Sequence, residues 1–200
     1  MKTFITFSPQ QPTLRVVHYE PQNHARLDYG TTAFPIMPAI SNYAIAGEPF
    51  RVILIIQDYE HCIANAVAFH QELEALCAEK GLVCQEVVEL HVPFDNDVSV
   101  QIQTFQQLIH QIQDGDDLHA CTTYGSKPAT MTMLLALRYA RQFMKNIYIS
   151  CIVYGEYNFL TKDTKIYDET ALVHLDDIVS TLSQMGTANP GQILESIIRK

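Results

Sequence analysis

Short runs of β-branched and aromatic residues alternate along this chain with longer segments in which apolar residues recur at helical spacing. The run at 51–57, RVILIIQ, is apolar almost throughout, which is typical of a strand covered on both faces. The segment after it repeats apolar residues every three or four positions and ends at Gly81, which predicts a helix. Further strands are predicted at 3–7, 13–19, 82–92, 117–122 and 146–155, and further helices between 95–97 and 115, and at 127–144, 171–185 and 190–199.

This alternation predicts an α/β fold of the Rossmann-like, doubly wound kind, with a mainly parallel sheet and helices on both faces. The stretch 33–49 contains three prolines and predicts a packed loop or a short helix. With 200 residues and no repeat or linker, the chain fits one substantial domain. We expect a Rossmann domain over 1–158 and a short helical extension over 159–200, within one globular unit.

Composition argues against several classes of protein. The formal net charge of −9 speaks against general DNA or RNA binding, because such proteins neutralise many phosphates with Lys and Arg. The five cysteines are odd in number and lack CxxC spacing, so we expect buried, reduced thiols in a cytoplasmic protein. The first residues lack the apolar run of a signal peptide, and no apolar window approaches the roughly 20 residues of a membrane span.

The turn TTYGSKP, residues 122–128, carries the strongest functional signal. Ligands of a doubly wound sheet bind beyond the carboxyl ends of the strands, where the strand order reverses. If the first strand lies beside 117–122, this turn meets the loop SPQQP at 8–12 in that crevice. We therefore predict that the ligand-binding residues come from these two loops: Ser8, Pro9, Gln10, Thr122, Thr123, Tyr124, Gly125, Ser126 and Lys127.

The residue types of the turn suit a phosphodiester or a nucleotide. Ser126 is placed to cap the following helix and Pro128 suits its first turn. The free N–H groups and partial positive charge of a helix amino terminus favour phosphate, and Lys127 adds a full charge. Gly125 permits close approach of the backbone to a ligand. The stretch is neither a Walker A loop nor a GxGxxG fingerprint, so an ordinary capped turn is the alternative.

The segment LHACTTYGSKPATMTMLLALRYA resembles the signature of CARF domains, the CRISPR-associated Rossmann fold. That signature is an apolar strand, then Asp-x-Thr-x-Gly, a variable residue, Lys or Arg, Pro, and an apolar helix. Cys121 stands where many members have Asp, and we expect it to be a core residue of the strand. The first strand KTFITFS and the later strand NIYISCIVYGEYN also look like family elements, so the resemblance covers roughly 1–158. Five residues of the turn fall on the pattern: Thr123, Gly125, Ser126, Lys127 and Pro128.

The resemblance implies a function and a quaternary state. CARF domains bind cyclic oligoadenylates, the second messengers of type III CRISPR defence, as homodimers with the ligand across the twofold axis. The apolar helix 129–144 would then face a second copy through Met131, Leu134 and Phe143, although burial in the core alone is an alternative explanation for its composition. No cofactor and no membrane partner are expected, and a CRISPR effector is a further possible partner.

Two functions within that family stay open, because both need the same pocket. The chain lacks recognisable nuclease motifs after the sheet. As a metal-independent ring nuclease, it would align a ribose 2′-OH with the neighbouring phosphate, with Lys127 and Ser126 as catalytic residues and Ser8 and Thr123 positioning the ribose. As a sensor or regulatory subunit, it would bind the ring without cleavage and act on a partner.

A more remote alternative is an unrelated Rossmann-type enzyme for a small nucleotide, with a thiol or histidine nucleophile. The eight histidines include no pair at HxxxH spacing, so no metal site is predicted. The acidic pairs in HLDD (174–177) and DYEH (58–61) are interpreted as complements to helix amino termini.

Overall fold

A seven-stranded sheet forms the centre of the computed structural model, which describes residues 1–198. Five long strands make up most of it: β1 (Lys2–Phe7), β5 (Pro49–Gln57), β6 (Val83–Val92), β7 (Asp117–Cys121) and β8 (Tyr148–Tyr157). The strands β3 (Glu20–Pro21) and β9 (Thr164–Asp168) complete it, and β2 (Val17–His18) pairs separately with β4 (Thr31–Thr32). The order across the sheet is β3-β9-β8-β7-β1-β5-β6, and all neighbours are parallel except β8 and β9.

Helices cover both faces of this sheet, so the predicted α/β, Rossmann-like doubly wound fold is confirmed. Successive residues of a strand point to opposite faces, and β1 shows this directly: Phe4 packs in one core cluster and Ile5 in the other. No helix within residues 1–198 is long and apolar enough to cross a membrane. The described helices are α1 (Ile36–Tyr43), α2 (Glu60–Lys80), α3 (Val98–Gln111), α4 (Lys127–Phe143), α5 (Thr170–Met185) and α6 (Pro190–Ile198).

The strand order reverses between β1 and β7, as the sequence predicts. Ile5 lies opposite Ala120 in this parallel pair, so both strands end at the same edge, which we call the carboxyl edge. The opposite edge, where the strands begin, is the amino edge. The loop after β1 and the turn after β7 therefore emerge next to each other.

Several sequence predictions need correction. The expected strand at 13–19 shrinks to Val17–His18, and the helix expected to reach Gly115 ends at Gln111. It ends early because residues 113–116 form a turn with Gly115 at a φ of 84°. The stretch before α5, for which no strand was predicted, supplies β9 and forms an antiparallel hairpin with β8. The segment 159–200 is therefore not purely helical, and residues 199 and 200 of its last predicted helix lie outside the described residues.

Candidate ligand site at the carboxyl edge

The turn 122–128 leads from β7 directly into α4, and its cap follows the sequence prediction. The Ser126 hydroxyl accepts a hydrogen bond from the Ala129 N–H at 3.3 Å, and Pro128 lies in the first turn of the helix. The capping role of Ser126 is confirmed. The amino terminus of α4 consequently points to the carboxyl edge, beside the end of β1.

Gly125 is needed for packing at this turn. Its φ is 93°, a conformation that L side chains rarely adopt, and an added Cβ would lie 2.9 Å from the Phe7 ring. The turn is therefore held against the end of β1. The sequence analysis expected Gly125 to let the backbone approach a ligand. In the structure, Gly125 lets the turn approach the Phe7 ring of the same chain.

The polar side chains of the turn anchor it to neighbouring elements. The Thr123 hydroxyl accepts from the Gly155 N–H at 2.7 Å, and the Thr122 hydroxyl donates to the Val153 carbonyl at 3.3 Å. The Tyr124 hydroxyl donates to the Ala33 carbonyl at 2.7 Å. These bonds make the turn rigid, and the predicted ligand contacts of the three residues stay predictions.

The loop 8–12 is likewise tied into the fold. Ser8 is buried, and its hydroxyl donates to the Cys62 carbonyl at 2.6 Å. The Pro9 carbonyl accepts from the Asn65 amide at 2.8 Å. Because these groups are already engaged by α2, the part of this loop best placed to meet a ligand is its more exposed end, which begins at Gln10.

Gln57, which the sequence reasoning missed, joins the two loops. Its side-chain oxygen accepts from the Gln10 amide at 2.6 Å and from the Ser126 N–H at 3.2 Å. The residue is buried, and its Nε2 has no hydrogen-bond partner within residues 1–198. A polar residue closing the apolar run RVILIIQ was the available signal. An unpaired buried donor costs about 1–3 kcal/mol.

Cys121 immediately precedes the turn and Lys127 is its last residue but one, and the two side chains differ sharply in exposure. The Lys127 side chain is exposed, and within the described part of the chain it makes no hydrogen bond or ion pair. Cys121 is fully buried, and burial raises the pKa of its thiol, which confirms it as a strand core residue. Lys127 is thus a cation available to an incoming anion, whereas Cys121 is not an accessible nucleophile.

A cavity of about 630 Å³ opens beside the turn, between the loop after β1 and the β8–β9 hairpin. We call it the hairpin cavity. Thr123 and Tyr124 of the predicted set line it, as do Tyr154 and Gly155, which belong to the family-like strand NIYISCIVYGEYN. The remaining lining residues were not anticipated from the sequence: Gln11, Pro12, Thr13, Leu14, Arg15, Tyr19, Tyr157 and Phe159.

The electrostatics of the hairpin cavity are simple. Arg15 places its guanidinium carbon 4.4 Å from the centre of the Tyr157 ring and 4.8 Å from that of Phe159. Burial raises the pKa of Tyr19 to about 12 and also raises the pKa of Tyr124, so both phenols stay neutral at physiological pH. The lining residues include no Asp or Glu. The cavity therefore offers neutral aromatic walls and one positive charge.

The predicted dimer residues on α4 have different environments. Met131 is 63% exposed and Phe143 is 71% exposed, whereas Leu134 is partly buried against the core below α4. Leu135 and Tyr139 are also exposed, so an apolar stripe follows every fourth residue from 131 to 143. A role for this stripe in dimerisation stays a prediction.

The prediction that the acidic pair of HLDD complements a helix amino terminus is wrong. Helix α5 begins at Thr170, and the pair lies within it. Asp176 forms an ion pair with Arg138 at 2.9 Å and Asp177 forms one with Arg141 at 2.8 Å, so the two carboxylates tie α5 to α4. Within residues 1–198, no group of three or more His, Cys, Asp or Glu side chains is arranged to hold a metal ion.

Comparison of the chain with protein-family models and with curated proteins finds no match. The resemblance to CARF domains therefore depends on the turn 122–128 and the strands that flank it.

Proposed function

We propose that this protein binds a cyclic oligoadenylate, the second messenger of type III CRISPR defence, at the carboxyl edge of its sheet. One observation carries the proposal. The turn whose residues match the CARF pattern lies where the strand order reverses, with Lys127 exposed at the amino terminus of α4 and the hairpin cavity next to it. This is the place at which doubly wound folds bind nucleotides.

The charge distribution supports an anionic ligand. The whole chain has a formal net charge of −9, yet the cations at this site, Lys127 and Arg15, have no acidic partner within the described residues. The helix amino terminus adds partial positive charge close to Lys127. A cavity of about 630 Å³ also falls within the range of about 300–1,000 Å³ that is usual for ligand pockets.

Recognition is better supported than cleavage. No His, Asp, Glu or Cys lines the hairpin cavity, so its described lining provides no general base near neutral pH. Cleavage would then depend on alignment of the ribose 2′-OH and on stabilisation of the phosphorane by Lys127 and nearby N–H groups. The Ser126 N–H already donates to Gln57, and the Ser126 hydroxyl oxygen caps α4, so Ser126 would take part by donating its hydroxyl proton.

We further propose that the protein acts in the cytoplasm as a homodimer. The exposed apolar stripe of α4, with Met131 and Phe143, is the surface that a second copy would cover. Two copies joined near the amino termini of α4 would bring two candidate sites to one ligand, which suits a symmetric ring. A sensor of this kind then acts through an effector partner.

The test is incubation of the purified protein with cyclic tri-, tetra- and hexa-adenylate in EDTA, followed by size-exclusion chromatography and mass spectrometry. An intact ring that co-elutes with a dimer supports the proposed function. Linear products ending in 2′,3′-cyclic phosphate would instead establish a metal-independent ring nuclease at the same site. If no ring binds and none is cleaved, the proposed function is wrong and the turn is an ordinary helix cap.

A further inference from the structure

The hairpin cavity has a lining suited to one kind of molecule. Arg15 is the one charged side chain among its lining residues that the structure describes. Five of the other eleven lining residues are aromatic: Tyr19, Tyr124, Tyr154, Tyr157 and Phe159. Aromatic faces stack on nucleobases, and an arginine in the same space attracts an anion.

The cation–π contacts of Arg15 leave its hydrogen-bonding groups available. The guanidinium lies over the rings of Tyr157 and Phe159, and within the described residues its N–H groups make no hydrogen bond. No acidic residue in the described chain pairs with Arg15. The rings hold the long side chain in place while its donors stay free to bind a phosphate in bidentate fashion.

The aromatic walls are positioned by contacts outside the cavity. The Tyr154 ring stacks on Tyr167 with centroids 6.5 Å apart and planes 25° apart, and the Tyr167 hydroxyl donates to Glu156 at 3.1 Å. The Tyr124 ring is held by its bond to the Ala33 carbonyl. Walls fixed before the ligand arrives reduce the ordering cost of binding.

We propose that the hairpin cavity is a subsite for one purine nucleotide unit, with the base against Tyr154 and the phosphate on Arg15. The inference rests on the proposed function and extends it, because it assigns recognition to the loop after β1 and to the β8–β9 hairpin. Thr123 and Tyr124 belong both to the turn and to the cavity wall, so a ligand at the turn continues into this subsite. Arg15 and β9 lie outside the segment that matches the CARF signature, whereas Tyr154 belongs to the later strand that also resembles the family.

The experiment compares two small probes and one ring by isothermal titration calorimetry. Adenosine 5′-monophosphate carries the base and the phosphate, adenosine carries the base alone, and cyclic tetra-adenylate is the proposed type of ligand. The proteins are the wild type, Arg15→Ala and Tyr154→Ala. Arg26→Ala is the matched control, because Arg26 also lies over a tyrosine, with its guanidinium carbon 5.9 Å from the Tyr43 ring centre, but does not line the cavity.

We expect Arg15→Ala to weaken binding of the monophosphate and of the ring about tenfold to a hundredfold while leaving adenosine unchanged. Tyr154→Ala should weaken all three ligands, and Arg26→Ala none. An equal loss for adenosine and its monophosphate in Arg15→Ala would overturn the phosphate contact, since Arg15 would then act only by holding the wall.

The outcomes also separate this inference from the proposed function. If the wild type binds the ring and both cavity variants bind it equally well, the subsite is wrong and the proposed function stands. If the wild type binds the monophosphate through Arg15 but no ring, the subsite is supported and the proposed function fails. Binding of neither ligand overturns both.

Discussion

The amino and carboxyl edges of the sheet both contain a prominent arginine, but the two arginines are used in opposite ways. At the amino edge, Arg51 is 2% exposed and donates to Asp116 at 2.6 Å, to the Gln111 carbonyl at 2.6 Å and to the Thr3 hydroxyl at 3.1 Å. At the carboxyl edge, Arg15 is exposed and lies over the rings of Tyr157 and Phe159.

This difference separates a charge that is paired within the fold from charges that are exposed and have no acidic partner among the described residues. A buried cation must be fully paired, because desolvation of an unpaired charge costs several kcal/mol. Solvent still hydrates Arg15 and Lys127, so they can remain unpaired until an anion binds. The position of a cation relative to the edges of the sheet, rather than residue type, therefore indicates its role here.

The largest expected effect is a loss of folding stability caused by a substitution at the amino edge. Replacement of Arg51 by Met should lower the free energy of unfolding by about 3–5 kcal/mol, because Asp116 would remain buried without its main partner. Urea denaturation measures this loss. Arg138→Met is the control, since its pair with Asp176 is well exposed and is worth at most about 1 kcal/mol. Equal effects of the two substitutions would refute a special role for the amino-edge pair.

The next effect is on binding at the carboxyl edge. Lys127→Ala should weaken cyclic oligoadenylate binding by about 1.5–3 kcal/mol, the range for a hydrogen bond to a charged group, and change stability by less than about 0.5 kcal/mol. Lys145→Ala is the matched control, because Lys145 is exposed just beyond the opposite end of the same helix. Unchanged affinity in Lys127→Ala would show that the anion binds elsewhere.

Two helix caps test whether a substitution at the candidate site changes ligand binding as well as stability. Ser126→Ala and Asp97→Ala each remove an amino-terminal cap, of α4 and α3 respectively, and each should lower the melting temperature. Only Ser126→Ala should also weaken ligand binding, because only the N–H groups of α4 face the candidate site. Thermal denaturation and titration calorimetry on both variants test this. A loss of affinity in both would mean that the two helices share the ligand.

The smallest effect is a pH dependence at the amino edge. Burial alone would raise the pKa of Asp117, but its interactions with His119, Ser150 and Lys2 outweigh burial, so the pKa is lowered. A lowered folded-state pKa stabilises the protein above the unfolded value of about 3.9, and this contribution disappears as the pH falls through the folded value. Urea midpoints between about pH 6 and pH 3 should therefore fall less steeply in Asp117→Asn. Identical slopes would contradict this assignment.

The carboxyl edge was predictable because its signals are local. The apolar strand, the Ser126 cap, Pro128 and the helix that follows lie within one continuous segment. Its position at the reversal of strand order depended on the condition that β1 lies beside β7, which the structure fulfils. The cap and the burial of Cys121 are both as predicted. Local propensity and periodicity decide such features with little help from the rest of the chain.

The hairpin was missed because its strand carries weak local signals. Residues 164–168, TKIYD, are short and mostly polar, and they form β9 only because the edge of β8 offers unpaired backbone groups. That pairing brings Tyr157 and Phe159 over the loop after β1. Gln57 was missed for a similar reason. Its role in joining the two loops depends on hydrogen bonds from Gln10 and Ser126, which are far from it in sequence.

The sequence by itself determined the succession of the five long strands with α2, α3 and α4, the class of fold and the capped turn that begins α4, because each depends on residues a few positions apart. Only the tertiary structure decided which cations are paired and which are free. Arg51 finds Asp116, and Arg15 finds Tyr157, across long stretches of chain. Such contacts depend on the order of strands in the sheet and on the path of its loops, which periodicity along the chain does not specify.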